Sequence, residues 1–382
     1  MDTHYNLIVI GASIAGLSAV TAFQRNRPDG TVLLVNGEDR LPYKRTKLTK
    51  SIAAGFGRED FALHPVEWYR DQGVSLVNAV AGTVDRIGKR VALSDGSVHS
   101  FDILIIATGS RPRTGPWEGV VYLRDAGDTE SLIARTSACD SFAVIGAGVQ
   151  AVETAEQLSL RGKRVTLIGR GARLLYRKID ENLSQRIESL FSEHKVKVCL
   201  GQPVERVEAG PPDESTGYSV ILGSGEAVEC DAVIASIGIE PVIDLIPRPK
   251  ISPTLETQYP GIYVAGDAAG MREWNSYGLW HAAEYQGTVA GTNAAGGSMH
   301  FDGRAFRMKC EVFGTYLFSM NYSPNLPSKI LRDGEELYLR VYYEAGAAAG
   351  VLMFGGKDRA KIVESLVRGH APIEEIRRKL AL

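Results

Sequence analysis

Two glycine-rich turns, far apart in one chain, constrain what this sequence can fold into more than any other feature. The first is Ile8-Val9-Ile10-Gly11-Ala12-Ser13-Ile14-Ala15-Gly16 and the second is Ala143-Val144-Ile145-Gly146-Ala147-Gly148-Val149-Gln150-Ala151. Each follows an apolar run of β type and precedes a helix-like stretch. The first glycine permits a tight strand-to-helix turn, and the small residues after it let backbone approach a pyrophosphate. The helix then presents free N–H groups and about half a unit of positive charge. The first turn departs from G-x-G-x-x-G at Ser13 and the second at Ala151, both small enough to keep the packing close. One such turn is weak evidence, because a packed αβ turn with no ligand looks the same. Two imply two dinucleotides on one chain, and electrons passed from one to the other.

The pattern around each turn repeats. Residues 6–10 and 31–36 read as buried strands flanking a helix from Gly16 to Arg25, a βαβ unit. Phe101 to Gly109 is another buried strand ending in a small-residue turn. The scheme restarts at 142–168, and Asp231 to Gly238 mirrors 102–109. The expected fold is α/β, a duplicated doubly wound architecture. Gly261 to Asp267 reads as a strand ending in Gly-Asp, with a helix over about 279–295. From about 300 the pattern turns to hairpin strands at 309–319, 336–344 and 350–354, closed by helical pieces from 357, and Gly210-Pro211-Pro212-Asp213 reads as a hairpin turn.

At 382 residues the chain is too long for one ordinary core. A net charge of -2 and a pI near 6.4 leave no nucleic-acid or membrane footprint. No apolar run is long enough to span a bilayer. The start, Met1-Asp2-Thr3-His4-Tyr5, runs straight into the first strand, so no leader is read there and a soluble, cytoplasmic protein is expected. Cys139, Cys199, Cys230 and Cys310 form no C-x-x-C or C-x4-C pair and no metal spacing, and the seven histidines are equally scattered. No metal is expected.

Five ordered blocks together resemble the pyridine-nucleotide flavoprotein reductases built on the glutathione-reductase plan, over essentially the whole chain. They are the first turn, Ala107-Thr108-Gly109-Ser110-Arg111-Pro112, the second turn with Glu153, Gly238-Ile239-Glu240-Pro241, and Thr257 through Ile262-Tyr263-Val264-Ala265-Gly266-Asp267. Leu41-Pro42-Tyr43-Lys44-Arg45-Thr46-Lys47-Leu48-Thr49-Lys50 is similar to a block of the branch that donates single electrons: rubredoxin reductases, ferredoxin reductases of oxygenase systems and the flavin module of nitrite reductases. Met308 to Gly314 followed by Phe318-Ser319 looks more like the rubredoxin-reductase and nitrite-reductase members.

The resemblance implies two Rossmann-like domains and a small α+β C-terminal domain. Residues 1–112 and 243–297 would form a discontinuous FAD-binding domain, 113–242 the NAD(P)H-binding domain and 298–382 the last domain. FAD would be held by Gly11, Ser13, Ile14, Ala15, Gly16, Glu38, Arg45, Lys50, Ala107, Thr108, Gly109, Arg111, Gly266, Asp267 and Trp280. NAD(P)H would be held by Gly146, Gly148, Val149, Gln150, Glu153, Arg170 and Gly238. The helix from Trp280 would aim its N-terminus at the flavin pyrimidine. Trp280 and His281 would sit near the ring, though a core aromatic and a satisfied histidine explain them equally well.

Hydride passage to a flavin asks the protein mainly for stacking geometry and electrostatics. Lys50 and Glu153 are the candidate catalytic pair: a lysine near N5 favours reduced flavin, and a glutamate can hold it and orient the nicotinamide amide. No cysteine occurs before Cys139, which argues against disulfide or cysteine-based peroxide reduction. Reduced FAD would then pass electrons singly to a small carrier such as rubredoxin or ferredoxin. Lys44 and Lys47 either steer that carrier or simply form a solvated basic loop. At the end of the second unit's second strand, Gly169-Arg170 stands where NAD-specific members carry an acid, which favours NADPH over NADH. Alternatives are an NAD(P)H oxidase, a flavin module of a nitrite-reductase-type system, and a non-enzymatic FAD-binding signalling protein, the last disfavoured by the charge balance. Oligomeric state, monomer or dimer, stays open.

Overall fold

The computed structural model describes residues 3–55, 57, 60–210, 217–270, 278–302 and 306–382. The turn read at 210–213 falls mostly outside them. The chain divides into two compact units, one made of Met1–Lys47, Gly57–Arg111 and Ile239–Arg304, the other of Leu48–Phe56, Pro112–Gly238 and Ala305–Leu382.

The first unit is organised on strand Thr3–Ile10. Val32–Asn36 and Val98–Ile106 pair with it in parallel, Val74–Asn78 extends the sheet beyond Val32–Asn36, and the short strand Ile262–Val264 adds to Val98–Ile106. The last four residues of the first strand, Leu7 to Ile10, are buried on both faces. That is why they read as a continuous apolar run rather than an alternation. Antiparallel strands Arg90–Leu93 and Ala81–Asp85 continue the sheet on the far edge.

Two helices from opposite ends of the unit's sequence pack at backbone distance. An ideal Cβ at Gly287 would lie 2.1 Å from the carbonyl oxygen of Ala15, and one at Gly291 2.1 Å from that of Ala19. Helix Trp280–Ala294 therefore rests on helix Ile14–Asn26 with no side chain between them at these points. This close approach joins the 239–304 stretch to the start of the chain.

In the second unit, strand order runs Lys197–Leu200, Arg164–Gly169, Ser141–Ile145, Ala232–Ala235, Val121–Tyr122, all parallel. The inner order matches that of the first unit, so the duplication is structural as well as sequential. A three-stranded antiparallel meander, Val204–Ala209, Tyr218–Leu222 and Ala227–Cys230, accompanies it.

The same unit contains a five-stranded antiparallel sheet ordered Arg307–Val312, Thr315–Met320, Ala347–Gly355, Leu337–Glu344, Ser328–Asp333. Helices Ala360–Arg368 and Ile373–Leu380 bury Val363, Val367, Ile376 and Leu380 against its Leu339, Val341, Val351 and Met353. Strand Ser328–Asp333 carries no buried residue, which is why it gave no periodic signal.

Polar contacts fasten this sheet to the parallel one. Asp180, the N-cap of helix Glu181–Glu193, accepts hydrogen bonds from Tyr338 Oη (3.0 Å) and Arg340 Nη1 (2.9 Å). Arg186 reaches Asp333 and the carbonyl of Gly334. Leu48–Phe56 joins the unit through Thr49, Lys50 and the Ala53 carbonyl, which takes Arg161 Nε at 3.1 Å.

Candidate functional site

Each unit carries a candidate nucleotide site of its own. In the first, Gly11 adopts φ +107°, and an ideal Cβ there would lie 2.2 Å from the carbonyl oxygen of Ala107. A Cβ on Gly16 would lie 1.9 Å from the carbonyl of Gly11. Only glycine allows these approaches. Gly266, at φ +72°, sits against Ala15 and Ala283, its ideal Cβ being 2.9 Å and 3.6 Å from theirs. The loop at Gly11, the Ala107-Thr108-Gly109 turn, the Gly266-Asp267 turn and the start of helix Trp280–Ala294 thus converge within one unit.

Hydrogen bonds hold that convergence. Asp267 accepts from Ser110 Oγ and from the amide of Gly278, both at 2.9 Å. Thr108 Oγ1 donates to the carbonyl of Val242. At the end of strand Val32–Asn36, Glu38 accepts from Tyr43 Oη at 2.8 Å and pairs with Arg45. Arg111 is tied to Glu240 (2.6 Å) and Asp244 (3.1 Å) on the protein's own surface. His281 Nδ1 lies 3.0 Å from Glu284 one helical turn on.

The turn of the second unit has the same frame. Gly146 is at φ +139°, with its ideal Cβ 2.3 Å from the carbonyl of Ser236 and 3.2 Å from Ala151 Cβ. Gly148 differs: nothing lies within 4 Å of its ideal Cβ. Gln150 donates to the Leu123 carbonyl (2.8 Å) and accepts from Ser236 Oγ (2.9 Å), so its amide braces the turn. Gly238, at φ +117°, takes the amide of Arg113 on its carbonyl at 2.9 Å.

At the end of strand Arg164–Gly169, a Cβ on Gly169 would lie 2.7 Å from Leu200 Cδ2 and 3.0 Å from Ala147 Cβ. A carboxylate side chain therefore does not fit there without moving Leu200. Arg170 beside it is exposed and has no ion-pair partner among the described residues. Arg173 lies over the exposed ring of Tyr176 at 4.9 Å. Arg173 and Tyr176 were not singled out from sequence as ligand contacts, for the loop after this strand carries no motif.

Helix capping separates these turns from the rest. Among helices of ten or more residues, Ala126–Arg135 is capped by Asp125 and Glu181–Glu193 by Asp180, each aspartate accepting from the third residue on. Helices Ile14–Asn26, Val149–Leu160 and Trp280–Ala294 have no side-chain cap. Their first N–H groups stay available to a ligand. These are the three helices whose starts the sequence assigns to nucleotides.

Lys50 lies in the second unit with Glu153. Lys50 Nζ is 3.8 Å from Glu153 Oε1, and Thr49 Oγ1 donates to Glu153 Oε2 at 2.5 Å. Glu153 is only 7% exposed. Burial pushes its carboxyl above the ordinary range, while Thr49 and Lys50 pull it back toward ionisation. A second carboxyl, Glu156, is 5% exposed on the same helix and accepts the amide of Phe313 at 2.5 Å. Thr49, Glu156 and Phe313 are partners that the sequence reading did not single out. Among the described residues no cluster of histidine, cysteine and carboxylate side chains could hold a metal, and no helix is long and apolar enough to cross a membrane.

Two tandem glycine-turn units of one strand order define a duplicated fold of the dinucleotide-binding class. The sequence signature of the pyridine nucleotide-disulphide oxidoreductases matches residues 5–287, and the chain belongs to that family. It is 32% identical to the rhodocoxin reductase of Rhodococcus erythropolis over 247 residues, 63% of this chain and 57% of that protein. It is 24% identical to a nitrite reductase [NAD(P)H] of Bacillus subtilis over 389 residues, 97% of this chain and 48% of that one. The chain thus spans about half the length of these relatives. A ferredoxin reductase structure from Rhodopseudomonas palustris superposes with a TM-score of 0.86 at 21% identity, covering 96% of this chain and 95% of the other, and shares its fold.

Proposed function

We propose that the chain is an FAD-dependent NAD(P)H oxidoreductase that passes electrons to a small redox protein such as rubredoxin or ferredoxin. The observation that carries this reading is the set of three uncapped helix starts, two of them at glycine turns, in a chain whose other two long helices are capped by aspartate. Backbone donors left without side-chain partners suit pyrophosphates and a flavin ring edge. Open space at Gly148 suits a phosphate that a Cβ would crowd.

In this reading Gly11, Ser13, Ile14, Ala15 and Gly16 cradle the FAD pyrophosphate, with Asp267 ordering the turn beside it. Glu38, oriented by Tyr43 and Arg45, binds the ribose. Ala107, Thr108 and Gly109 close the floor, and the start of the Trp280 helix faces the flavin. Arg111 supports the site through Glu240 and Asp244. FAD, when bound, takes a hydride from the reduced nicotinamide and gives electrons out one at a time. Gly146, Gly148 and Val149 hold the nicotinamide nucleotide's phosphates, Gln150 fixes the turn, and Gly238 allows close approach. Glu153 holds Lys50 and orients the nicotinamide amide. Residues 1–112 with 243–297, 113–242 and 298–382 serve as FAD, NAD(P)H and C-terminal domains.

Arg170, with no acid at Gly169, binds a 2′-phosphate, so NADPH is the preferred donor. Exposed Lys44 and Lys47 attract an acidic carrier, and the protein works in the cytoplasm. The match to a nitrite reductase over nearly the whole chain favours, as a second reading, a flavin module serving a separate terminal reductase.

Anaerobic stopped-flow mixing of the FAD-loaded protein tests the reading. One equivalent of nicotinamide should bleach the flavin, NADPH faster than NADH. Faster NADH would remove the NADPH preference alone. Bleaching by neither would remove the oxidoreductase reading.

A further inference from the structure

Helix Val149–Leu160 carries two buried carboxyls one turn apart, Glu153 and Glu156. One ammonium, Lys50, stands within 4 Å of Glu153. Glu156 has no cation of its own within ion-pair reach among the described residues. Its polar partners are the Phe313 amide at 2.5 Å and the Gln157 side chain, both neutral donors.

The Phe313 amide is held in place. Phe313 and Gly314, at φ +46° and +77°, form the tip of the hairpin joining Arg307–Val312 to Thr315–Met320. The Phe313 ring stacks on His194 at 3.7 Å and meets Phe191 edge-on at 5.3 Å. Glu311 adds a third carboxylate whose charge helps to push Glu153 up. Glu311 is bound by Lys357 at 2.5 Å, and Arg161 serves the Ala53 carbonyl and Thr136. Cys310 is buried and stays a thiol, since burial and the neighbouring carboxylates push it up.

We infer that Glu156 is a positioning residue: with Glu153, one helical turn away, it forms a coupled pair of buried carboxyls, and its charge sets how much negative charge faces Lys50. Two ionised carboxylates against one ammonium would leave a net negative charge in a desolvated place, which is costly. The pair therefore titrates together. Burial is the main reason Glu156 is pushed up to about 7, with the Phe313 amide and the Gln157 side chain opposing it. A carboxyl raised from 4.5 to about 7 on folding contributes stability that is complete below about pH 4.5 and lost as pH rises through about 7.

The functional half of the inference rests on the proposed reaction. Below neutral pH, Lys50 is matched by one carboxylate. Above it, the added negative charge opposes hydride arrival at an electron acceptor near Lys50, and the transfer rate should fall by roughly tenfold.

The FAD-loaded protein, the Glu156→Gln variant and the Glu156→Asp variant separate the possibilities. Glu156→Gln keeps an oxygen for the Phe313 amide and removes the titration. Infrared spectra of the wild type should show a protonated-carboxyl carbonyl band that disappears with a midpoint at about pH 7. The band should be absent in Glu156→Gln and return in Glu156→Asp. Thermal melts should show the wild type losing stability across that range and Glu156→Gln keeping it. A band that persists in Glu156→Gln, or no titrating band at all, overturns the pair.

Stopped-flow hydride transfer should decline with pH in the wild type and stay flat in Glu156→Gln. Identical profiles in both would overturn the positioning role while leaving the pair. Failure of either nicotinamide to bleach the flavin would strike the proposed reaction instead, and the infrared result would still decide the pair.

Discussion

The first glycine turn is confined throughout, whereas the second is confined at one glycine and open at the other. At Gly11 and Gly16 an added Cβ would meet backbone at 2.2 Å and 1.9 Å. Gly146 is similar, at 2.3 Å from the Ser236 carbonyl, but Gly148 has nothing within 4 Å. Glycines of one motif therefore answer different demands: Gly11 and Gly146, at the same motif position, are confined alike, while Gly148, where the first turn has Ser13, is open. Gly11, Gly16 and Gly146 let the strand turn into the helix against neighbouring backbone. Gly148 meets no such demand from the described residues, and in the proposed reading the demand there comes from a ligand. The first turn is also braced by a second helix through Gly287 and Gly291, which suits a cofactor that stays. The second borders exposed Arg170 and Tyr176, which suits a nucleotide that comes and goes.

The largest expected effect is at the confined turn. Gly11→Ala must place a Cβ at φ +107° and 2.2 Å from the Ala107 carbonyl. Strain and overlap together should cost about 3–5 kcal/mol. The purified variant should retain almost no flavin, read as visible absorbance per protein after reconstitution, and should melt well below the wild type. A yellow, normally stable Gly11→Ala would mean the first turn is looser than its geometry and would erase the contrast.

A smaller effect is expected at the open edge. Arg170→Ala removes a cation with no ion-pair partner among the described residues, so stability should change by less than about 0.5 kcal/mol. One charged hydrogen bond to a 2′-phosphate is worth about 1.5–3 kcal/mol. The KM for NADPH should therefore rise by roughly tenfold or more, with that for NADH little changed. Equal loss for both donors would place Arg170 outside the 2′-phosphate site. Gly169→Asp is a poor companion test, because the new side chain would first have to displace Leu200.

The parts of this architecture visible in sequence are those set by local rules. Parallel strands buried on both faces appear as apolar runs, as at Leu7 to Ile10, and left-handed glycines mark where they end. Pairing between distant residues leaves no such trace. Thr49 meets Glu153 across 104 positions, and Phe313 meets Glu156 across 157. Arg111 was read toward FAD from its block, yet its visible partners are Glu240 and Asp244, 129 and 133 residues away. Gln150 likewise spends both ends of its amide on Leu123 and Ser236, a use that a motif position does not reveal. The fold class was therefore legible early, while the electrostatics around Lys50 became visible only once the hairpin tip was placed.

The smallest expected effect sharpens the comparison most. Gly148→Ala introduces a methyl at an N-cap with ordinary backbone angles, φ -88° and ψ -179°. Apart from its own chain neighbours, no atom of the described residues lies within 4 Å of it. Alanine is a poorer N-cap than glycine, so a loss of about 0.5 kcal/mol or less is expected, and FAD content should be unchanged. If the proposed phosphate site is right, the methyl crowds the phosphate against the backbone, and the KM for NADPH and NADH should rise together by about fivefold, corresponding to about 1 kcal/mol. That outcome separates a glycine kept for its ligand from one kept for its fold. If Gly148→Ala instead lost its flavin or melted as low as Gly11→Ala, the open space at the second turn would be closed in solution, and the two turns would be doing one job rather than two.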